Sequence, residues 1–131
     1  MTGIEARKKA ARNAALARRK AAHEARSSGE STLLSDVLER FRGRAISGFL
    51  PIRTEIDPRL AMTEAARHGP VCVPVIEGRT MPLRFARWTP ETPLVDGPFG
   101  ARIPAEPAFI EPDILIVPLL AFDRSGGRLG Y

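Results

Sequence analysis

A single cysteine, Cys72, occurs in the 131 residues, so no disulfide framework can form within the chain. It lies in the apolar run Val71-Cys72-Val73 and reads as a small buried hydrophobe. The two histidines, His23 and His68, are far apart, and neither has a metal-ligand spacing such as H-E-x-x-H. Both read as surface residues. No apolar run approaches the ~20 residues that span a bilayer. The basic start is followed by no long apolar segment, which excludes a secretory signal. Serine is absent until Ser27 and the acid Glu5 comes early, and both stand against a transit peptide. Aromatic residues make up only 6% and form no stacking cluster, which weakens the case for single-strand nucleic acid recognition. No internal repeat is visible. What is present is 44% apolar residues in a length suited to one domain with a core.

The net charge of +5 is unevenly spread. Residues 1–30 carry eight Lys/Arg against three Asp/Glu, and the rest of the chain is balanced at twelve of each. The whole excess therefore sits on a basic N-terminal helix segment. An anion is its natural partner: a nucleotide phosphate, RNA or an acidic surface. A solvated helix face is the competing reading.

Ile4 to Arg26 is rich in Ala, Lys, Arg and Glu with no Gly or Pro inside, which predicts a helix. Its apolar content is mostly alanine, so it should lie on the surface of a domain built by later elements. Ser31 is a candidate N-cap for a second helix through Phe41. Asp57-Pro58 predicts the start of a third, closed by Gly69 after His68. Strands are expected at Ala45–Phe49, Pro70–Val75, Leu83–Arg87 and Ile114–Val117. Val71–Val75 and the run Ile114 to Phe122 lack alternation and read as buried on both faces, whereas Leu83–Trp88 alternates like an edge strand. Residues 89–112, rich in Pro and Gly, read as one long loop. Helices alternating with buried strands predict an α/β fold, an open three-layer α/β/α sheet with the N-terminal helix packed over it. In such sheets ligands bind beyond the carboxyl ends of the strands, here after Phe49 and after Phe122. The closing segment Asp123-Arg124-Ser125-Gly126-Gly127-Arg128-Leu129-Gly130-Tyr131 places glycines and an arginine after a strand, which suits a phosphate. A tight surface turn is the alternative.

Several segments, taken in order, resemble the 5-formyltetrahydrofolate cyclo-ligase family. Lys8-Lys9-Ala10-Ala11-Arg12 is similar to its K-x-x-L-R motif, with Ala11 where leucine is usual. Phe49-Leu50-Pro51-Ile52-Arg53-Thr54-Glu55-Ile56-Asp57 is similar to Y-x-P-x-x-x-E-x-D. Val73-Pro74 with Met81, Phe85 and Trp88 follows, then Phe99-Gly100 with Glu106-Pro107. The last segment is Asp113 to Pro118 through Ala121-Phe122-Asp123, then Gly126 and Arg128-Leu129-Gly130-Tyr131. The family continues with G-x-G-Y-Y-D and further helix and strand, so the resemblance implies that residues 1–131 are a single, incomplete α/β domain with its C-terminal part missing.

The resemblance implies a cytoplasmic enzyme of folate one-carbon metabolism. It would convert 5-formyltetrahydrofolate and MgATP to 5,10-methenyltetrahydrofolate, ADP and phosphate. The formyl oxygen is a poor leaving group, and phosphorylation makes an iminophosphate that N10 can attack; the protein positions and neutralises charge. Lys8, Lys9, Arg12, Arg128, Leu129, Gly130 and Tyr131 would contact ATP. Lys8 and Arg12 share a helix face, and Lys9 points elsewhere. Glu55 would accept hydrogen bonds from the pterin, with Leu50 and Met81 lining its apolar side. Trp88 would stack on the ligand or serve the core. ATP and Mg2+ are the implied cofactors, and a monomer is the implied state of the complete protein. The alternatives are a non-catalytic truncated member and a basic RNA-binding module. The 131 residues alone are expected to be nearly inactive and marginally stable, because an uncovered Ile114–Val117 strand would meet water.

Overall fold

Thr2 and Glu5 cap one another, and the first helix starts there. The Glu5 N–H donates to Thr2 Oγ1 (3.1 Å), and the Thr2 N–H donates to Glu5 Oε2 (2.9 Å). Helix α1 (Gly3–Glu24) follows in a computed structural model that describes residues 2–26 and 32–130. The expected N-cap Ser31 and the site residue Tyr131 lie outside the described residues. Every residue from Thr2 to Ala14 is exposed, and Ala15 is the buried residue of the helix. Helix α2 (Thr32–Leu38) runs into a 3-10 turn, Glu39–Phe41. Strand β1 is Ile46–Ser47 and helix α3 is Arg59–Ala65. The Asp57 carboxylate sets the start of α3. It accepts from the Arg59 N–H (3.0 Å) and grips the Arg59 guanidinium at 2.9 and 2.7 Å, and that hydrogen bond holds Asp57 below its ordinary value.

The remaining strands are β2 (Val71–Val75), β3 (Arg84–Arg87), β4 (Leu94–Asp96), β5 (Arg102–Pro104), β6 (Ile114–Leu115), β7 (Ala121–Phe122) and β8 (Arg128–Leu129). Four of them form an open sheet in the order β3-β2-β1-β6. β1 is parallel to both β2 and β6, while β3 is antiparallel to β2, so the sheet is mixed. Ile46 pairs with Val71 and with Ile114, which puts these side chains on one face. That face packs on α2 and α3. Leu38, Ile46 and Ala61 are joined by Leu34, Phe41, Ile114 and Ile116, and Met62, Val71, Val73 and Trp88 form the adjoining cluster. Ser47 and Cys72 face the other way and are buried too. Burial pushes the Cys72 thiol up, so Cys72 is the inert hydrophobe its neighbours suggested. His23 and His68 are exposed.

Three expectations need correction. Ile114 to Phe122 is not one buried strand: β6 ends at Leu115, and Leu115 (54%) and Val117 (51%) are half exposed. The chain turns away at Pro118 because its next backbone partner is Gly130, whose carbonyl accepts from Leu120 N at 3.3 Å. Residues 89–112 are not a plain loop, since β4 and β5 form a hairpin there, with Gly97 N donating to Ala101 O (3.0 Å). Of the two roles open to Trp88, the structure gives it the core one. Finally, α1 meets the loops beyond the strand ends, at Thr54 and along Pro118 to Phe122, while α2 and α3 are the described helices whose side chains pack on the sheet face at Ile46.

Candidate functional site

Because β1 and β6 are parallel neighbours, the segments that follow them leave the sheet at the same end. After β1 the chain makes a tight turn, Ile52 to Glu55. Glu55 N donates to Ile52 O (3.2 Å), and the Ile52 N–H donates to Glu55 Oε1 (2.8 Å). Arg53 in this turn has φ 56°, a left-handed conformation that costs about 1–3 kcal/mol for a non-glycine residue. The local bonds to Glu55 hold it there. After β6 the chain runs through Leu119 into the β7–β8 hairpin, where Phe122 stands 78% exposed.

Helix α1 closes the third side. Arg19 Nε donates to Thr54 Oγ1 at 2.8 Å, and an Arg26 guanidinium N–H donates to the Glu55 carbonyl at 3.2 Å. Between α1 and the two loops lies a cleft of ≈ 430 Å³. Ile56, Leu119 and Phe122 give it an apolar wall, Arg18, Arg19 and Arg26 a cationic one, and Glu55 is its carboxylate. This combination suits a flat, partly apolar ligand that carries negative charge. A hollow of ≈ 710 Å³ between residues 83–85 and 109–115 is a poorer candidate, since among the described residues it is lined by a single cation, Arg84, which stacks on Phe109 at 3.5 Å and pairs with Glu77.

The structure brings some of the sequence-derived residues here and leaves others elsewhere. Glu55 borders the cleft. Lys8, Lys9 and Arg12 are exposed on the projecting half of α1. Lys8 and Arg12 share a stripe with Ala15 and Arg19, whose residues fall within about 60° of arc; Arg12 lies about 10 Å along the axis from Arg19. Lys9 is turned about 100° away from Lys8. Arg128 pairs with Phe122 across the hairpin and so stands beside the cleft wall. Leu129 is half-buried in β8, and Gly130 (φ 69°) lies against Leu120. Leu50 packs against the Met62–Trp88 cluster, and Met81 is exposed in the turn begun by Gly78; neither lines the cleft. Arg18, Arg19, Arg26 and Thr54 were missed from sequence. The available signal was the 4-3-4 spacing Lys8, Arg12, Ala15, Arg19, which marks one helix face with a small residue at its contact point.

The glycine-rich ending takes the tight-turn form. The Ser125 and Gly127 N–H groups donate to Asp123 Oδ1 (2.9 and 2.8 Å), and Gly126 N donates to Asp123 O (3.3 Å). These amides are spent inside the turn and offer no open phosphate nest. The Ser125 hydroxyl, followed by the Gly127 amide, holds Asp123 below its ordinary value of 3.8. A depressed carboxylate contributes stability above its unfolded-state value and loses it as pH falls through the folded one. Amide exchange at Ser125 and Gly127, corrected for intrinsic pH dependence, should therefore rise as pH falls below the ordinary carboxylate range, and Asp123→Ala should abolish that response. A flat profile in the unaltered protein would remove Asp123 as the clasp of the hairpin.

Among the described residues no group of three His, Cys, Asp or Glu side chains is placed to hold a metal ion, and no helix is long and apolar enough to cross a membrane.

An open mixed sheet with a cation-lined cleft beyond its parallel strand ends defines an α/β protein whose candidate site lies at the carboxyl side of its sheet. The family model of the 5-formyltetrahydrofolate cyclo-ligase family matches residues 4–131, and the chain belongs to that family. It is 33% identical to the 5-formyltetrahydrofolate cyclo-ligase of Mycolicibacterium smegmatis, over 91% of this chain and 67% of the relative. It is also similar to the NMR structure of Aquifex aeolicus 5,10-methenyltetrahydrofolate synthetase. There the TM-score is 0.71 and the identity 25%, over 95% of this chain and 66% of the other. The chain thus spans about two thirds of the length of these relatives.

Proposed function

We propose that this chain serves the ATP-dependent closure of 5-formyltetrahydrofolate to 5,10-methenyltetrahydrofolate, with its cleft receiving the folate and the projecting half of α1 receiving the nucleotide. The observation that carries this is the juxtaposition of Glu55 with three arginines and an apolar wall in one cleft. A pterin is flat and rich in N–H donors, which a carboxylate accepts. The reaction moves a phosphoryl group onto the formyl oxygen, releasing ADP. N10 then attacks the activated carbon, phosphate departs, and N10 loses its proton. Negative charge is shared among phosphate oxygens throughout, so cations that need no rearrangement stabilise it. ATP would bring Mg2+ with it to offset part of its charge, and Lys8 and Arg12, on the cleft-facing stripe, would bind the nucleotide's remaining charge.

The test is formation of methenyltetrahydrofolate, followed by its absorbance, with ATP and folate varied in turn. Lys8→Ala and Arg12→Ala should each raise the ATP requirement roughly tenfold, for a charged hydrogen bond of about 1.5 kcal/mol or more, and spare the folate requirement. Equal losses for both substrates would remove these residues from the nucleotide site. A salt-sensitive shift with RNA, and none with ATP, would favour the alternative that exposed Arg7, Lys8, Lys9 and Arg12 form an RNA contact.

A further inference from the structure

We propose that Arg19 is a positioning residue that couples nucleotide binding to folate binding through Thr54, an inference that rests on the function proposed above. Helix α1 is a rigid rod with a division of labour. Its first half, Thr2 to Ala14, is exposed and touches little of the domain. Its second half carries buried Ala15 and the bond from Arg19 Nε to Thr54 Oγ1 (2.8 Å), and just past its end Arg26 donates to the Glu55 carbonyl (3.2 Å). The acceptors of both bonds, Thr54 and Glu55, belong to the turn that presents the Glu55 carboxylate.

One stripe of the helix therefore joins the proposed nucleotide cations, Lys8 and Arg12, to the anchor at Arg19. Thr54 immediately precedes Glu55, and Glu55 in turn fixes Ile52 through its carboxylate (2.8 Å). Seating α1 and setting the Glu55 turn are one event, because the same hydrogen bond serves both. A nucleotide that draws Lys8 and Arg12 inward seats the helix and presets the turn for the pterin. A pterin held by Glu55 fixes the turn and seats the helix for the nucleotide. Linkage makes the two effects equal in size.

Thr54 also supplies a clean test. Valine has nearly its shape without the hydroxyl, and serine keeps the hydroxyl, so Thr54→Val and Thr54→Ser separate the bond from the packing. Binding of 5-formyltetrahydrofolate is measured by calorimetry with and without a non-hydrolysable ATP analogue, and the ratio of the two dissociation constants is the readout. In the unaltered protein the analogue should tighten folate binding on the order of fivefold or more. Thr54→Val and Arg19→Ala should each bring the ratio close to one, their combination should lower it no further, and Thr54→Ser should keep it. A ratio unchanged in Thr54→Val and Arg19→Ala, or already one in the unaltered protein, overturns the coupling while leaving the proposed function intact. Loss of the ratio in Thr54→Ser as large as in Thr54→Val would also overturn it, by showing that shape and not the hydroxyl matters. Failure of the unaltered protein to bind either ligand would overturn the functional reading itself, and the coupling with it.

Discussion

Met62→Ala is expected to lower the unfolding free energy by about 2–5 kcal/mol, the range for truncating a fully buried large side chain. Met62 is completely buried at the junction of α3 with β2, in the cluster with Val71, Val73 and Trp88. Its neighbourhood is tight. A Cβ added to Gly48 would fall 2.6 Å from Met62 Cγ and closer still to its sulfur. Gly48 follows β1 directly and donates to Cys72 O (2.9 Å), so the backbone there cannot back away to refill the space without giving up a sheet bond. Since domains hold only about 5–15 kcal/mol in reserve, this one change removes a large share. Urea unfolding should show a lower midpoint with an unchanged slope. Leu33→Ala, at a site 75% exposed, is the control and should stay within about 0.5 kcal/mol. Equal effects from the two substitutions would mean that the Met62 cluster is not the centre of the core.

The second large effect concerns Glu55, whose carboxylate has two tasks that substitution can separate. One is structural, accepting from the Ile52 N–H. The other, under the proposed function, is accepting from pterin N–H groups. Glu55→Gln keeps an amide oxygen for Ile52 but loses the charge, so melting should be unchanged. Folate affinity should fall on the order of 100-fold, for two charged hydrogen bonds weakened by about 1.5 kcal/mol each. Glu55→Ala should lose the folate to a similar extent and also loosen the turn, where Arg53 then keeps its left-handed strain without its clasp. Affinity for ATP alone should hold in the Gln variant. Undiminished folate binding by Glu55→Gln would leave Glu55 as a turn residue only.

The fold was legible where burial writes itself into composition. The unbroken apolar run Val71–Val75 forms β2, and the alternating Leu83–Trp88 supplies β3 at the end of the sheet order. Asp57-Pro58 starts α3 as its chemistry suggests. Legibility failed where long-range pairing overrides local pattern. Ile114 to Phe122 is uniformly apolar, but strand formation needs a partner at each residue, and β1 offers a short edge before the chain is drawn off toward Gly130. The hairpin of β4 and β5 was hidden by prolines and glycines that mark its turn and ends. At the site, Glu55, Lys8 and Arg12 were reached through the resemblance of their segments to the family's motifs, and of these Glu55 lines the candidate cleft. The anchors Arg19 and Thr54 could not be reached so, because a contact across 35 positions leaves no trace in either segment alone.

The pairing of β1 with two parallel partners has a kinetic side. β2 returns to β1 after one local crossover through α3, whereas β6 reaches it only after the chain has passed through β3, β4 and β5. Closing the longer loop costs more chain entropy before any contact rewards it, so the half of the sheet built on Ile46 and Val71 can assemble first. During synthesis the β1–α3–β2 unit leaves the ribosome well before Ile114 does. The edge of β1 then stays open for an interval in which only β6 is its proper partner, and any other extended chain is a rival.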